Sequence, residues 1–387
     1  VNSSHRRFIL NRDDWSVLVE HAHPWGDEDL EGMDIAWNPA GTCVAYSLRT
    51  AVEIWDPEQD AIVRRLIGNV DQVKLLSWDP DGSHLLTSDT SHRIKIWNVA
   101  TPNSSPTIET EGPLQSLTWG DSESLALDAV TADDLSNSRW NVTESLRVSG
   151  PTSVVSRQGK RVLSPDRRWV ANWANPTDES SVVVYDARNG DIAAVLTPQP
   201  PFKPLGTGDA VSWSPDGAKL SVAICTETES GLEVWDVRSE KRVARWTRIP
   251  ARSATWADVN FRRLTWSPDG KWVAAIGRGE DADSGTYKWS GRVHVVDAQT
   301  GIRVAKLAAG TEGRDNLSTF AWSPDSRSVA MATPEGAITI TEVGTGRQVG
   351  RCKPHDLSIS ALVWSPDWQR LASSSIDGSI SIVAPQG

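Results

Sequence analysis

The sequence predicts an all-β chain, built as a closed array of eight copies of one four-stranded unit. Three observations carry this expectation. A tight turn of the type Trp-Ser-Pro-Asp-Gly recurs, a short alternating strand often ending in Trp-Asp accompanies each copy, and the period runs from end to end. The turns are anchored at Trp37 (WNPAG), Trp78 (WDPDG), Trp119 (WGDSE), Leu163 (LSPDR), Trp213, Trp266, Trp322 and Trp364, spaced 41, 41, 44, 50, 53, 56 and 42 residues apart. A period in the forties means one supersecondary unit copied and stacked.

The unit that starts at Phe261 shows how a copy is built. FRRLTW is a strand that ends in a turn where Pro268 fixes φ, Asp269 caps the backbone and Gly270 accepts a positive φ. KWVAAIG, GRVHVVDA and IRVAKLA follow as second, third and fourth strands, the last entered through Gln299-Thr300-Gly301. Four short antiparallel strands with Gly, Pro and Asp between them match a propeller blade. The third-strand signature recurs as VEIWD (52–56), IKIWN (94–98), SRWN (138–141), VVVYD (182–186), LEVWD (232–236), VHVVD (293–297), ITITE (338–342) and ISIVA (380–384). Two residues before each anchor stand Ile35, Leu76, Leu117, Arg161, Val211, Leu264, Phe320 and Leu362, apolar in seven of eight, as an inner strand packed against its neighbour requires. Arg161 and Leu163 set unit four apart. Were it to form no sheet of its own, the ring would have seven blades.

The last unit stops after its third strand, at 379–384, while the chain opens with a strand-like segment, 15–20, before the first anchor. Pairing the two closes the ring and removes free edges. This divides the chain into an N-terminal extension, 1–14, and a single propeller domain, 15–387. Trp169, Trp272 and Trp368, each just after an SPD turn, are expected to pack within the blades.

Composition agrees with one large soluble array. Of 387 residues, 39% are apolar and 23% charged, and no apolar run is long enough to span a membrane. The segment VNSSHRRFIL has no apolar core of the signal-peptide kind, and a first residue of Val fits a processed or excised piece. The net charge of −11 opposes nucleic acid or an anionic membrane as partner. Cys43, Cys225 and Cys352 are scattered without a CxxC pair, which fits the reducing cytoplasm and neither a disulfide framework nor a zinc site.

The WSPDG turns together with VEIWD, IKIWN and LEVWD resemble the WD-repeat (WD40) β-propeller family over about 15–384. SPDG turns also occur in propellers of the TolB and prolyl-peptidase types, and the Trp-Asp strand endings favour the WD-repeat likeness. The near-identical turns resemble bacterial WD-repeat chains, which are often appended to kinase, NTPase, protease or TIR domains. Family members usually carry a tetrad of His, Ser or Thr, Asp and the third-strand Trp. No complete set is found: His355 and Asp377 meet Val383 in the Trp place, and Trp55 and Trp235 meet Arg49 and Glu229 in the Asp place. The blades are therefore expected to be held mainly by apolar packing.

Motifs for chemistry are absent: no GxSxG, GxxxxGK[ST], HExxH or GxGxxG occurs. His21 and His23 would share one side of a strand, where a metal pair or a pair ordering the first blade are the alternatives. Glu280, Asp281 and Asp283 read as a solvated loop. No metal or cofactor is expected, and the domain is expected to be no enzyme.

What distinguishes the units is loop length on one face. The inner strands all start from the same face, here called the top, where the second-to-third and fourth-to-first loops gather. Loops 131–138, 174–181, 197–209, 248–260, 277–291 and 308–317 all fall there, against tight turns below. Those around unit six bring Trp256, Tyr287 and Trp289 out of strand register, with Arg252, Arg278, Glu280 and Asp281, and Phe202 nearby. Such residue types dominate binding hot spots. Plugs that order their own loops are the alternative for Trp256 and Trp289. The expected function is a non-catalytic scaffold or sensor binding another protein, or a domain of its own parent chain, through the top face. The alternative is a small-molecule or peptide-processing site at the channel mouth.

Overall fold

The computed structural model describes residues 5–10, 17–23, 34–91, 93–100, 107–109, 114–119, 126–131, 137–141, 146–149, 161–166, 168–172, 181–187, 190–198, 211–225, 230–248, 260–278, 292–308 and 319–383. Among these the chain is all β, and the strands fall into eight sheets.

β1 (His5–Leu10) and β2 (Val17–His23) open the chain. Sheet one follows as β3 (Ile35–Trp37), β4 (Val44–Leu48), β5 (Ala51–Asp56) and β6 (Ala61–Ile67). Sheet two is β7 (Val73–Trp78), β8 (His84–Asp89), β9 (Arg93–Asn98) and β10 (Thr107–Glu109). Sheet three is β11 (Leu114–Trp119), β12 (Ala126–Thr131), β13 (Asn137–Asn141) and β14 (Leu146–Ser149). Sheet four is β15 (Arg161–Leu163), β16 (Trp169–Asn172), β17 (Val182–Asp186) and β18 (Ile192–Leu196), so unit four does form four strands. Sheet five is β19 (Val211–Trp213), β20 (Lys219–Cys225), β21 (Ser230–Asp236) and β22 (Lys241–Arg248). Sheet six is β23 (Asn260–Trp266), β24 (Trp272–Arg278), β25 (Arg292–Asp297) and β26 (Arg303–Ala308). Sheet seven is β27 (Thr319–Trp322), β28 (Ser328–Ala332), β29 (Ile338–Glu342) and β30 (Gln348–Cys352). β31 (Ile359–Trp364), β32 (Leu371–Ser375) and β33 (Ile380–Val383) form the last sheet with β1 and β2.

The N-terminal segment joins the last sheet, as expected, but the strand in contact is β1 rather than 15–20. β1 runs parallel to β33, with Phe8, Ile9 and Leu10 opposite Ser381, Ile382 and Val383, and β2 pairs with β1 as a fifth strand. A hairpin laid on the edge satisfies one more ladder of backbone groups than a single strand would. That hairpin begins inside 1–14, the stretch read as an extension.

Below, the first-to-second turns share one hydrogen-bond scheme. The Ser214 hydroxyl donates to Asp216 (2.5 Å) while accepting from the Lys219 amide (2.8 Å), and Asp216 accepts from the Ala218 amide (3.0 Å). Ser164, Ser267, Ser323 and Ser365 repeat it. The turn closes through a left-handed residue, Gly41, Gly82, Gly217 and Gly270 in four copies. Ser326 (φ 64°) and Trp368 (φ 66°) hold it in two others. Trp169 and Trp272 are partly buried against the joints between sheets, as expected. Trp368 is not: the turn fixes it in the left-handed position and leaves it 47% exposed. The Asp that ends the third strand has a separate task, capping the turn into the fourth. Asp236 accepts from the Ser239 amide and hydroxyl, and Asp297 from the Gln299 and Thr300 amides and the Thr300 hydroxyl.

Among the described residues, neighbouring sheets meet over apolar clusters, and five anchor Trp side chains reach back into the preceding sheet. Trp213 Nε1 donates to Val162 O (2.8 Å), Trp266 Nε1 to Ser212 O (2.9 Å) and Trp78 Nε1 to Ala36 O (3.2 Å). Trp364 Nε1 donates to Ala321 O (3.4 Å). Each acceptor lies just before the preceding anchor, on an inner strand that has a ladder partner on one side only. The same bond joins the last sheet to the first: Trp37 Nε1 donates to Val363 O (3.3 Å), and Ile35, Trp37 and Tyr46 share a cluster with Ala372, Ile380 and Ile382. Arg370 seals that joint, stacking over the Trp37 ring at 5.2 Å and donating to Gly41 O (3.0 Å).

Trp213→Phe, which keeps one aromatic ring but removes the donor and part of the buried indole, should lower stability by about 2–3 kcal/mol, and Trp213→Ala by about 3–5 kcal/mol, in urea unfolding of the full chain. Trp368→Gly should instead raise stability by about 1 kcal/mol, because it removes a side chain from a left-handed position without emptying any packed site.

Candidate functional site

The described part of the top face centres on sheets one, two and seven and the last sheet. Two loops there are held by buried polar networks. In sheet two, Trp97 Nε1 donates to Thr87 Oγ1 (3.0 Å), which donates to Asn69 Oδ1 (2.7 Å), and Asn69 Nδ2 reaches Thr50 O (3.3 Å). Asp89 accepts from the Val70, Ser91 and Arg93 amides. This is a complete set of four with Asn69 where His was sought. Its signal lay in spacing, since Asn69 and Thr87 each stand nine residues from Trp78, as His355 and Ser373 do from Trp364.

The last sheet carries the second network. The buried His355 meets Ser379 Oγ through Nδ1 (2.5 Å) and Ser373 Oγ through Nε2 (2.7 Å). Asp377 accepts from the Ser379 hydroxyl and amide and from the Asp356 amide (2.8 Å). Burial opposes ionisation of Asp377, but the His355 imidazole and the Ser379 donors outweigh it and hold the carboxyl well below the usual carboxylate range. The two sheets share one device: an Asp grips the backbone just after the Asn or His, fixing the loop into the inner strand. Those loops present apolar side chains to solvent. Ile67 and Val70 are 72% and 57% exposed, and Leu357 and Ile376 are 50% and 43% exposed.

Arg252, Trp256, Glu280, Asp281, Tyr287, Trp289 and Phe202 lie outside the described residues. Arg278 ends β24, at the top of sheet six.

Other polar clusters serve the fold. Asp79, Asp81 and His84 form a compact set in a bottom turn. There Asp79 replaces the usual Ser, accepting from the His84 amide (2.9 Å), the Ser83 hydroxyl (2.9 Å) and the His84 ring (3.0 Å). Buried Glu233 accepts from Trp235 Nε1 (3.1 Å) and Arg242 (2.8 Å); desolvation raises its pKa against the pull of these partners. Glu53, at the same place in sheet one, accepts from the Tyr46 hydroxyl (2.5 Å). Burial pushes the Cys352 thiol up to about 12, which keeps it protonated and unreactive.

A family model for "WD domain, G-beta repeat" matches residues 61–98 and 346–383, the stretches that contain the Trp97 strand and the His355 network. The chain carries WD repeats. A comparison with curated proteins gives no match. Among solved structures the chain is similar to the computationally designed Ika8 protein, at 15% identity and a TM-score of 0.62, covering 92% of this chain and 98% of that one. It is similar to the β-propeller domain of Cps50 (Swd1) from Myceliophteria thermophila, at 16% identity and a TM-score of 0.53, covering 93% and 98%. Hydrazine synthase of Kuenenia stuttgartiensis is a third, at 14% identity and a TM-score of 0.52, covering 90% and 94%. At these identities the likeness is one of fold, and WD repeats on a propeller are generally a scaffold for protein contacts. No helix among the described residues is long and apolar enough to cross a membrane.

A carboxyl whose folded pKa is depressed contributes stability that is complete above its unfolded pKa, near 4, and is lost as pH falls through the lower folded value. Unfolding free energy of the native chain should therefore fall between about pH 4 and pH 2 more steeply than that of Asp377→Asn. Parallel pH profiles for the two would contradict this account of the network.

Proposed function

We propose that the protein is a non-catalytic, closed eight-bladed propeller that binds another protein, or a domain of its own parent chain, through its top face. The observation that carries this reading is the pair of anchored loops presenting Ile67, Val70, Leu357 and Ile376. Solvent-facing aliphatic groups on loops fixed by buried networks are preorganised for contact, so little ordering is required on binding. Closure is supported by the bond from Trp37 to Val363 and by the cluster that joins the last sheet to the first. Eight blades are supported by eight sheets among the described strands, unit four included.

The reading extends the contact surface to Trp256, Tyr287, Trp289, Arg252, Arg278, Glu280, Asp281 and Phe202, whose residue types suit a hot spot ringed by charge. It counts the first strands with the propeller as one domain, and assigns the protein to the cytoplasm, where the unpaired Cys43 and Cys352 stay reduced. A bacterial source remains the reading of the repeated turns alone.

The test compares two variants with the native chain in cross-linking pull-downs from the source organism. Trp256→Ala/Tyr287→Ala/Trp289→Ala and Leu357→Asp/Ile376→Asp should each lose the captured partner while melting within about 2 °C of the native chain, as exposed substitutions do. Full capture by both variants would refute a top-face site.

A further inference from the structure

The outer strand of each sheet has backbone groups without a ladder partner on one side, an edge open to another strand unless guarded. Seven of the eight outer strands contain charged residues. β2 has Glu20, β6 Arg64 and Arg65, β10 Glu109, β14 Arg147, β26 Arg303 and Lys306, and β30 Arg351, while β22 holds four basic residues. The eighth, β18, reads Ile-Ala-Ala-Val-Leu and contains none. Ala194 and Leu196 point into the joint with sheet five, which leaves Ile192 63% and Val195 41% exposed.

One group reaches this edge from outside. The Val195 amide points outward and donates to Glu240 Oε2 at 3.5 Å, the outer limit of a hydrogen bond. Glu240 sits in the β21–β22 turn of sheet five at φ 55°, the left-handed position that Gly190, Gly301 and Gly346 hold in the corresponding turns. The carboxylate is thus set against an unguarded apolar edge, where a long contact is readily exchanged for a better one.

We propose that the β18 edge docks an extended peptide segment of another protein, with apolar residues alternating along it and a basic residue beside Glu240. A carbonyl of the incoming strand takes the Val195 amide, its apolar side chains cover Ile192 and Val195, and its Lys or Arg pairs with the released Glu240. Charge selects this occupant over a second copy of the chain, which would bring another Glu240 and another net charge of −11 to the same seam. The site lies on the rim, so it stands or falls separately from the top face.

The test uses fluorescence anisotropy with the full chain and a labelled peptide of alternating Val and Thr flanked by Lys. Binding is expected, with at least about tenfold weakening when the flanks are Glu, when alternate backbone amides are methylated, or when the protein carries Val195→Lys. Glu240→Gly should abolish the preference for Lys over Glu flanks and keep the melting temperature. No binding, or binding indifferent to amide methylation or to Val195→Lys, overturns the proposal. So does a dimer in sedimentation that Val195→Lys dissociates, because it assigns the edge to a second copy.

Discussion

An inner strand of a radial sheet has a problem of its own: it is an edge strand that must be buried. Its backbone pairs with the second strand on one side and faces the axis on the other, so half its carbonyls lack a ladder partner. In this chain the anchor Trp of the next sheet supplies the donor. Trp37, Trp78, Trp213, Trp266 and Trp364 each place an indole N–H on the carbonyl just before the preceding anchor. Trp suits the task because it joins a large apolar ring, which fills the wedge between sheets, to one fixed donor. Apolar packing alone is non-directional; the indole bond sets the stagger of each sheet on the last. The bond is missing at Leu163, which has no donor, and at Trp322, whose Nε1 is buried without a partner.

The bottom and top faces divide the labour. Below, near-identical turns tile against one another: Gly82 lies over Pro39, Gly270 over Pro215, and the Asp269 amide donates to Ser326 Oγ (3.0 Å) of the next turn. Above, loops are fixed case by case, and the buried networks of Asn69 and His355 flank the joint where the ends of the chain meet. The repeated lower turns leave the upper loops to differ, and it is there that the units diverge in length.

Signals confined to one unit could be read from the sequence: among the described residues the turns, the third strands and the four-strand grouping appear where expected, unit four included. Signals between units could not. Trp213 and Val162 are 51 residues apart, and Trp37 and Val363 are 326 apart, so no local pattern announces either bond. Asn69 was passed over because His was sought in its place, although the nine-residue spacing to Trp78 marks it. Trp368 looks like its counterparts Trp169 and Trp272, but it stands two positions earlier in the turn, where the backbone is left-handed. The closing strand was expected at 15–20, but a strand that pairs with a distant segment has no local signal, and the one that meets β33 is β1, with β2 folded onto it. The aromatic loops around unit six were legible as unusual in composition, and composition alone does not show what a loop touches.

The central claim is that indole bonds lock neighbouring sheets together at five joints, the one between the last sheet and the first included. The direct measurement is hydrogen exchange at the indole N–H groups, followed by nitrogen-15 NMR of the native chain. The signals of Trp37, Trp78, Trp213, Trp266 and Trp364 should exchange only with global unfolding, and Trp37, whose acceptor lies at the far end of the chain, should be as slow as the others. Fast exchange of Trp37 beside a slow Trp213 would contradict the account, leaving a stack of sheets open between the last and the first.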